Sequence, residues 1–204
     1  MASAAESESS AASAPQVNES QSRQDFVNSM MQSVMTTLHD ANKPFAQKQA
    51  MLKQTFTSVV DLNWIARFVL GKTWNGTTDE QKTQYTSLYR TYLTNTYVSN
   101  FDEESAGKLK DIKVLGVKDR DEDTFLVRTE MALADADAVK VDYLASGHGG
   151  QYKVIDIRVE GVSLLETHRA EFSELAAAGG ITGVIGKLQQ MVGHDNGAIA
   201  LSMK

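Results

Sequence analysis

The sequence predicts an α+β fold in which helices cover a curved, mostly antiparallel sheet of four to five strands. Two observations predict it. Apolar residues recur with the period of a helix in residues 25–101 and 162–191, whereas residues 112–159 alternate apolar and polar side chains as strands do. Separate blocks of helix and strand, rather than a regular alternation of the two, are typical of α+β proteins. We expect the helices to cover the strongly apolar face of the sheet.

The first three helices are predicted from the spacing of apolar residues and from signals at the helix ends. Apolar residues four positions apart in residues 25–38 predict a helix that Pro44 ends. A second helix is expected to begin near Pro44. The third begins at Asp61, a residue type that caps helix N-termini, and ends at Gly71, the commonest residue type just past a helix C-terminus.

A fourth helix is predicted to begin at a capping box and to run toward Phe101. Thr78 and Gln81 have the residue types and spacing of such a box, and Asp79 and Glu80 supply the acids favoured in a first turn. The helix that follows carries a broad, largely aromatic stripe, which includes Tyr85, Leu88, Tyr89, Tyr92 and Tyr97.

Four strands are predicted in the middle of the chain, beginning at Ile112 and ending at Val159. A charged turn at residues 119–122 and a glycine turn at residues 147–150 separate stretches whose side chains alternate. Because the connections are short, we expect an antiparallel meander.

The chain is predicted to return to helix after the last strand. Gly161 is expected to permit a sharp bend of the backbone, and Ser163 is expected to cap the helix that follows. Gly179 and Gly180 are expected to end this helix before a short terminal helix in residues 181–191.

Composition divides the chain into three predicted parts. Residues 1–20 are small, polar and acidic and lack the basic and apolar regions of a signal peptide. We expect them to form a disordered leader, either following a removed signal or as a natural tail. Residues 21–192 are expected to form one domain, and residues 193–204 a flexible tail.

Several functions are disfavoured by composition and motifs. The net charge is −6 and the basic residues are scattered among acids, which disfavours nucleic-acid binding. The chain has no cysteine, and its four histidines lack the spacing of metal ligands, so no metal site is predicted. No nucleophile elbow, phosphate-binding loop or dinucleotide motif occurs, and no apolar run is long enough to span a bilayer.

Three landmarks occur in order in residues 61–97 and 152–191: a Leu-Gly-Lys after the third helix, a Thr-x-x-Gln-x-x-x-Tyr start of the fourth, and a Glu-Gly-Val-Ser block after the last strand. With these landmarks, the two segments resemble the MlaC, or toluene-tolerance, family of periplasmic auxiliary proteins of ABC transporters. The resemblance covers residues 25–192. The strands from Ile112 to Ala145 match only in pattern, and the leader and tail match nothing.

The resemblance implies a fold like that of nuclear transport factor 2, with a phospholipid held by its acyl chains in an apolar cavity. It implies no enzymatic activity and no cofactor other than the lipid cargo. It also implies shuttling through the periplasm between an outer-membrane lipoprotein complex and an inner-membrane MCE-domain protein of an ABC transporter. A hopanoid-associated branch, HpnM, with hopanoid or another lipid as cargo, is an open alternative.

We expect the cavity wall to come from apolar residues of the third and fourth helices, of the helix that follows the last strand, and of the sheet. A wall of this kind removes acyl chains from water, at about 0.8 kcal/mol for each methylene group. The alternative for every residue is ordinary core packing. The candidates are Trp64, Phe68, Trp74, Tyr85, Leu88, Tyr92, Phe125, Val127, Val141, Tyr143, Ile155, Ile157, Val162 and Leu165.

Polar residues leave two other functions open. Asp156 and Glu160, with Arg158 and His168, would suit either acid–base chemistry on a fold of this type or a structural network at the strand-to-helix corner. The first possibility would make the protein an enzyme with a polar dyad in its cavity. A third possibility is an adaptor with a filled core, and the charged turn at residues 119–123 could dock a basic partner.

Overall fold

The computed structural model describes residues 19–148 and 150–193, without the side chain of His148. Most of the predicted leader and tail, and His194, lie outside the described residues. The elements are α1 (Glu19–His39), α2 (Phe45–Val59), α3 (Leu62–Leu70), a 3₁₀ turn (Gly71–Gly76), α4 (Asp79–Thr94), a π-helical turn (Asn95–Ser99), α5 (Glu103–Lys108), β1 (Leu109–Asp119), β2 (Thr124–Leu133), β3 (Val139–His148), β4 (Gln151–Val159), β5 (Val162–Ser163) and α6 (Leu164–Gly193).

The strands form one antiparallel sheet in the order β1-β2-β3-β4-β5, so the predicted meander and the α+β class are confirmed. The fifth strand is the two-residue segment Val162–Ser163, which pairs with the end of β4. Shifts of register between Val114 and Gly116 and between Leu144 and Ala145 interrupt the ladders. Such bulges bend strands and increase their twist, and they contribute to the curvature of the sheet.

The predicted helix ends are present in detail. The Asp61 side chain accepts a hydrogen bond of 2.9 Å from the backbone N–H of Trp64 at the start of α3. Thr78 and Gln81 form a reciprocal capping box at the start of α4. Gly71 has a φ of 57° where α3 ends, a conformation that glycine adopts without the steric cost that other residues incur.

The connection between helices and sheet differs from the prediction. The fourth helix ends at Thr94 and continues as the π-helical turn, and a short helix, α5, precedes the first strand. The Gln49 side chain of α2 supplies one reason, because its Nε2 donates to the carbonyl oxygens of Ser99 and Phe101 at 2.8 and 3.2 Å. A side chain from elsewhere in the fold thus stabilises the end of the turn, and local spacing gives no sign of it.

The first helix includes residues before the predicted start at Asp25, as far back as Glu19, the first described residue. A tertiary contact fixes these N-terminal turns. Arg23 is buried, and its guanidinium donates to the Asp119 carboxylate at 2.6 Å and to the Glu122 carbonyl oxygen at 2.8 Å. Asp119 is the last residue of β1, and Glu122 lies in the turn between β1 and β2. This contact ties one end of α1 to the sheet.

The helices pack in two groups. α6 lies against α3 and α4, whereas α1 lies against α2 and β1. α6 has a non-helical residue, Gly180, with φ 57° and ψ −163°, so two helices meet at the predicted Gly179-Gly180 break. The first group encloses a dense core that includes Val69, Tyr85, Tyr89, Phe172 and Leu188.

Candidate functional site

A cavity of about 370 Å³ lies between the second group of helices and the inner face of the sheet. Its volume is within the range of roughly 300–1,000 Å³ typical of small-molecule sites. The wall combines residues of α1, α2, the π-helical turn and strands β1 to β4. Its members are Met30, Met31, Val34, Leu38, Leu52, Thr55, Phe56, Val59, Val60, Tyr97, Val98, Phe101, Leu109, Ile112, Met131, Val141, Tyr143, Val154, Ile157, Val159 and Leu164.

Among the described residues, those that form the wall include no charged side chain, and their polar side chains are Thr55, Tyr97 and Tyr143. The Thr55 hydroxyl lies 3.3 Å from the hydroxyl of Ser33, and the Tyr97 hydroxyl lies 2.9 Å from Nε2 of His168. The arrangement is suited to an uncharged, apolar ligand, since an ion buried in such a wall would be uncompensated.

His168 lies between two tyrosine hydroxyls beside the cavity. Tyr89 reaches Nδ1 at 2.8 Å and Tyr97 reaches Nε2 at 2.9 Å. Burial lowers the pKa of His168 to about 4 and raises the pKa of both tyrosines, so all three groups are neutral near pH 7. One imidazole nitrogen therefore accepts a hydrogen bond while the other donates one.

The structure brings some of the predicted wall residues together. Val141, Tyr143 and Ile157, on neighbouring strands, line the cavity. Ile155 and Leu165 line a smaller void of about 40 Å³, which shares Phe56, Val60, Tyr97, Val154, Ile157 and Leu164 with the cavity wall. All five residues therefore lie at or beside one apolar space. Contact of these residues with a lipid stays a prediction.

Three predicted wall residues lie in solid core instead. Tyr85, Phe125 and Val127 are 0% exposed and do not line the cavity. The Tyr85 hydroxyl donates to the carbonyl oxygen of Ala66 at 2.9 Å, which fixes it between α4 and α3. Their apolar character is thus explained by close packing.

The remaining predicted wall residues lie away from the cavity. Trp64 is 39% exposed and Val162 is 61% exposed, because they lie on the outer side of α3 and at the β4–α6 corner. Trp64 and Trp74 border an outer groove of α3 and α4, and Tyr92 borders a groove between α4 and α6. Phe68 and Leu88 are partly buried against the core. None of these six residues lines the cavity, and the stripe on α4 packs against α3 and α6 instead. Lipid contact by the six stays a prediction.

The largest omission of the sequence-based prediction is the contribution of α1 and α2. Met30, Met31, Val34 and Leu38 line the cavity from α1, and Leu52, Phe56 and Val59 line it from α2. The apolar spacing in residues 25–38 identified an apolar face but not the surface that it meets. Methionine side chains are flexible and adapt to ligands of different shape, which is a signal in the sequence that could have drawn attention to α1.

The polar residues near the strand-to-helix corner do not form one group. The Asp156 carboxylate accepts hydrogen bonds from the Ser163 hydroxyl, the backbone N–H of Leu165 and Nε of Arg158, at 2.8, 3.1 and 3.1 Å. Glu160 accepts from the backbone N–H of Lys140. The bonds of Asp156 to Ser163 and Leu165 fix β4 to the start of α6, as in the structural alternative, and the bond of Glu160 joins the end of β4 to β3. His168 is bonded to the tyrosines instead.

The helix cap predicted at Ser163 is present, because its hydroxyl accepts a hydrogen bond from the backbone N–H of Glu166 at 3.1 Å. In the charged turn, the Asp121 carboxylate accepts hydrogen bonds from the backbone N–H and the hydroxyl of Thr124.

Within residues 19–148 and 150–193, no cluster of acids and histidines could hold a metal ion. None of the helices in these ranges has the length and apolarity needed to cross a membrane.

The fold and the cavity define the class of the protein: an α+β protein that keeps an apolar hollow between its helices and a curved sheet. The chain belongs to the MlaC family, whose model, described as MlaC protein, matches residues 25–190. Among functionally curated proteins, none gives a significant match.

A solved structure has a similar fold. It is the phospholipid-binding protein from Ralstonia solanacearum, determined in complex with a phospholipid. The TM-score is 0.68 and the sequence identity is 22%, and the match covers 84% of this chain and 97% of that one. The predicted family resemblance is confirmed.

Proposed function

We propose that this protein is a lipid carrier that holds the acyl chains of a phospholipid in the cavity between α1, α2 and the sheet. The observation that carries the proposal is a cavity of about 370 Å³ that the described residues line without a charged side chain. Membership in the MlaC family and the phospholipid bound by the similar Ralstonia protein support it.

The physical requirement is to keep acyl chains out of water during transfer. Each exposed methylene group costs about 0.8 kcal/mol, so chains with some thirty methylenes cost on the order of 20 kcal/mol. An apolar wall offsets this cost without favouring any chemical step. The cargo is therefore bound and released unchanged, and no bond is formed or broken.

The helices α1 and α2 are the movable side of the site in this proposal. They contribute apolar side chains to the wall, whereas the facing strands are held by the ladders of the sheet. A small separation of these helices from the sheet would open the cavity to a lipid. The flexible side chains of Met30, Met31 and Met131 would then adapt to chains of different length.

At the cellular level, we infer that the protein works in the periplasm. It would carry lipid between an outer-membrane lipoprotein complex and an inner-membrane MCE-domain protein of an ABC transporter. Support for this step comes from family membership. A hopanoid or another lipid is the alternative cargo, since an uncharged apolar wall accepts rings as well as chains.

Native mass spectrometry of the purified protein, followed by organic extraction, tests the proposal. We expect a mass increase equal to one or more phospholipids, which disappears on extraction and returns when the protein is mixed with vesicles. A co-purified hopanoid would support the alternative cargo. A protein that binds neither class of lipid, before or after reloading, would contradict the carrier function.

A further inference from the structure

Tyr143 places a hydroxyl in the middle of the apolar wall. It lies on β3, the central strand of the sheet, opposite Val127 of β2 and Ile157 of β4. Its side chain borders the cavity. Burial raises the pKa of the hydroxyl, so the group is neutral and keeps its proton.

The Tyr143 hydroxyl differs from the other polar groups of the wall in lacking a partner. Among the described residues, no hydrogen bond to the Tyr143 hydroxyl occurs, whereas the hydroxyls of Thr55 and Tyr97 are bonded to Ser33 and His168. Nor is the hydroxyl sealed inside the core, because in the described part of the chain the one fully buried side-chain atom without a partner is Nε of Arg23. The hydroxyl thus keeps some accessible surface, and the side chain that bears it lines the cavity.

When acyl chains exclude water from the cavity, a hydroxyl without a partner becomes costly, and a ligand that supplies an acceptor relieves the cost. Resting on the proposed lipid-carrier function, we propose that Tyr143 donates a hydrogen bond to an acyl-ester carbonyl oxygen of the bound lipid. The hydroxyl would then distinguish ester-linked lipids from hydrocarbon or ether-linked chains of the same length.

The chemistry of the wall favours an ester over the other acceptors of a lipid. A phosphate or an ionised carboxylate would bring a negative charge into a wall to which the described part of the chain contributes no lysine or arginine. An ester carbonyl is a neutral acceptor, and it lies where the acyl chains begin. One hydroxyl satisfies it without the need for a counter-ion.

Competition between two phosphatidylcholines of equal chain length, one diester and one diether, tests the proposal. The delipidated protein is loaded from mixed vesicles, and bound lipid is counted by mass spectrometry. We expect the wild type to prefer the diester by roughly threefold to tenfold, the effect of one net hydrogen bond. Tyr143→Phe should bind both lipids about equally, because only the hydroxyl is removed.

Tyr85→Phe is the matched control, since it removes a tyrosine hydroxyl that is bonded to Ala66 outside the cavity. It should keep the preference for the diester but melt at a lower temperature. Tyr143→Phe should not melt lower, because the hydroxyl makes no hydrogen bond to any described residue. In addition, the carbonyl stretch of ¹³C-labelled diester should shift to higher frequency in Tyr143→Phe.

The outcomes separate the two proposals. Lipid bound without a preference in the wild type, or a preference kept by Tyr143→Phe, would overturn the role of Tyr143 and leave the carrier function intact. This result is expected if a water molecule satisfies the hydroxyl. Binding of neither phosphatidylcholine would instead count against the carrier function itself.

Discussion

The substitution Val141→Trp tests whether the space between helices and sheet is a functional cavity. Val141 is 6% exposed and lines the cavity from β3. The indole adds about seven non-hydrogen atoms to the wall. If it excludes about four methylene groups of an acyl chain, at about 0.8 kcal/mol each, lipid binding weakens by about 3 kcal/mol, or roughly a hundredfold.

The fold should tolerate this change, because the added atoms enter space that is not occupied by protein. Val127→Trp is the control on the neighbouring strand. Val127 is 0% exposed and does not line the cavity, so a larger side chain there overpacks solid core. Overpacking of this kind costs about 1–3 kcal/mol of stability.

The assay combines native mass spectrometry after reloading with thermal unfolding. We expect Val141→Trp to be folded and poor in lipid, and Val127→Trp to melt at a lower temperature. A folded Val141→Trp protein that carries as much lipid as the wild type would refute the location of the lipid site. Equal destabilisation by the two substitutions would indicate that no hollow exists beside Val141.

Three further predictions concern stability. Burial lowers the pKa of His168 to about 4, so between pH 6.5 and 4 the unfolded chain binds a proton more readily than the folded protein. The folded protein has its full stability above this range and loses stability as the pH falls through it. Urea unfolding should show a free energy of unfolding about 2 kcal/mol lower at pH 5 than at pH 7, and His168→Gln should lack this difference. An equal loss in His168→Gln would assign the effect to other groups. Thr78→Ala removes the capping box of α4 and should lower the free energy of unfolding by about 1 kcal/mol without changing the lipid bound per folded molecule; a reduced lipid content would show that the cap also shapes the site. Asp156→Ala leaves three donors without their acceptor and should cost about 3 kcal/mol in chemical denaturation, whereas Glu160→Ala, at an exposed position with one such bond, should cost clearly less.

Much of the fold could be predicted because its signals are local. The caps at Asp61 and Thr78 and the break at Gly180 each depend on a few consecutive residues. The alternation in residues 112–159 and the short turns likewise determine an antiparallel meander. The π-helical turn could not be predicted, since it is stabilised by Gln49 from a distant helix.

The composition of the site depended on non-local packing. Tyr85 and Val141 are both apolar-face residues with the expected period, yet one is in solid core and the other lines a cavity. Periodicity identifies the face of a helix or strand that is buried, but not the distance to the opposite layer. That distance depends on how α1 and α2 pack on the curved sheet. This packing is fixed by contacts between residues far apart in the chain, such as Arg23 and Asp119. The amino-acid pattern therefore determined which surfaces avoid water, and only the assembled layers decided where a gap was left between them.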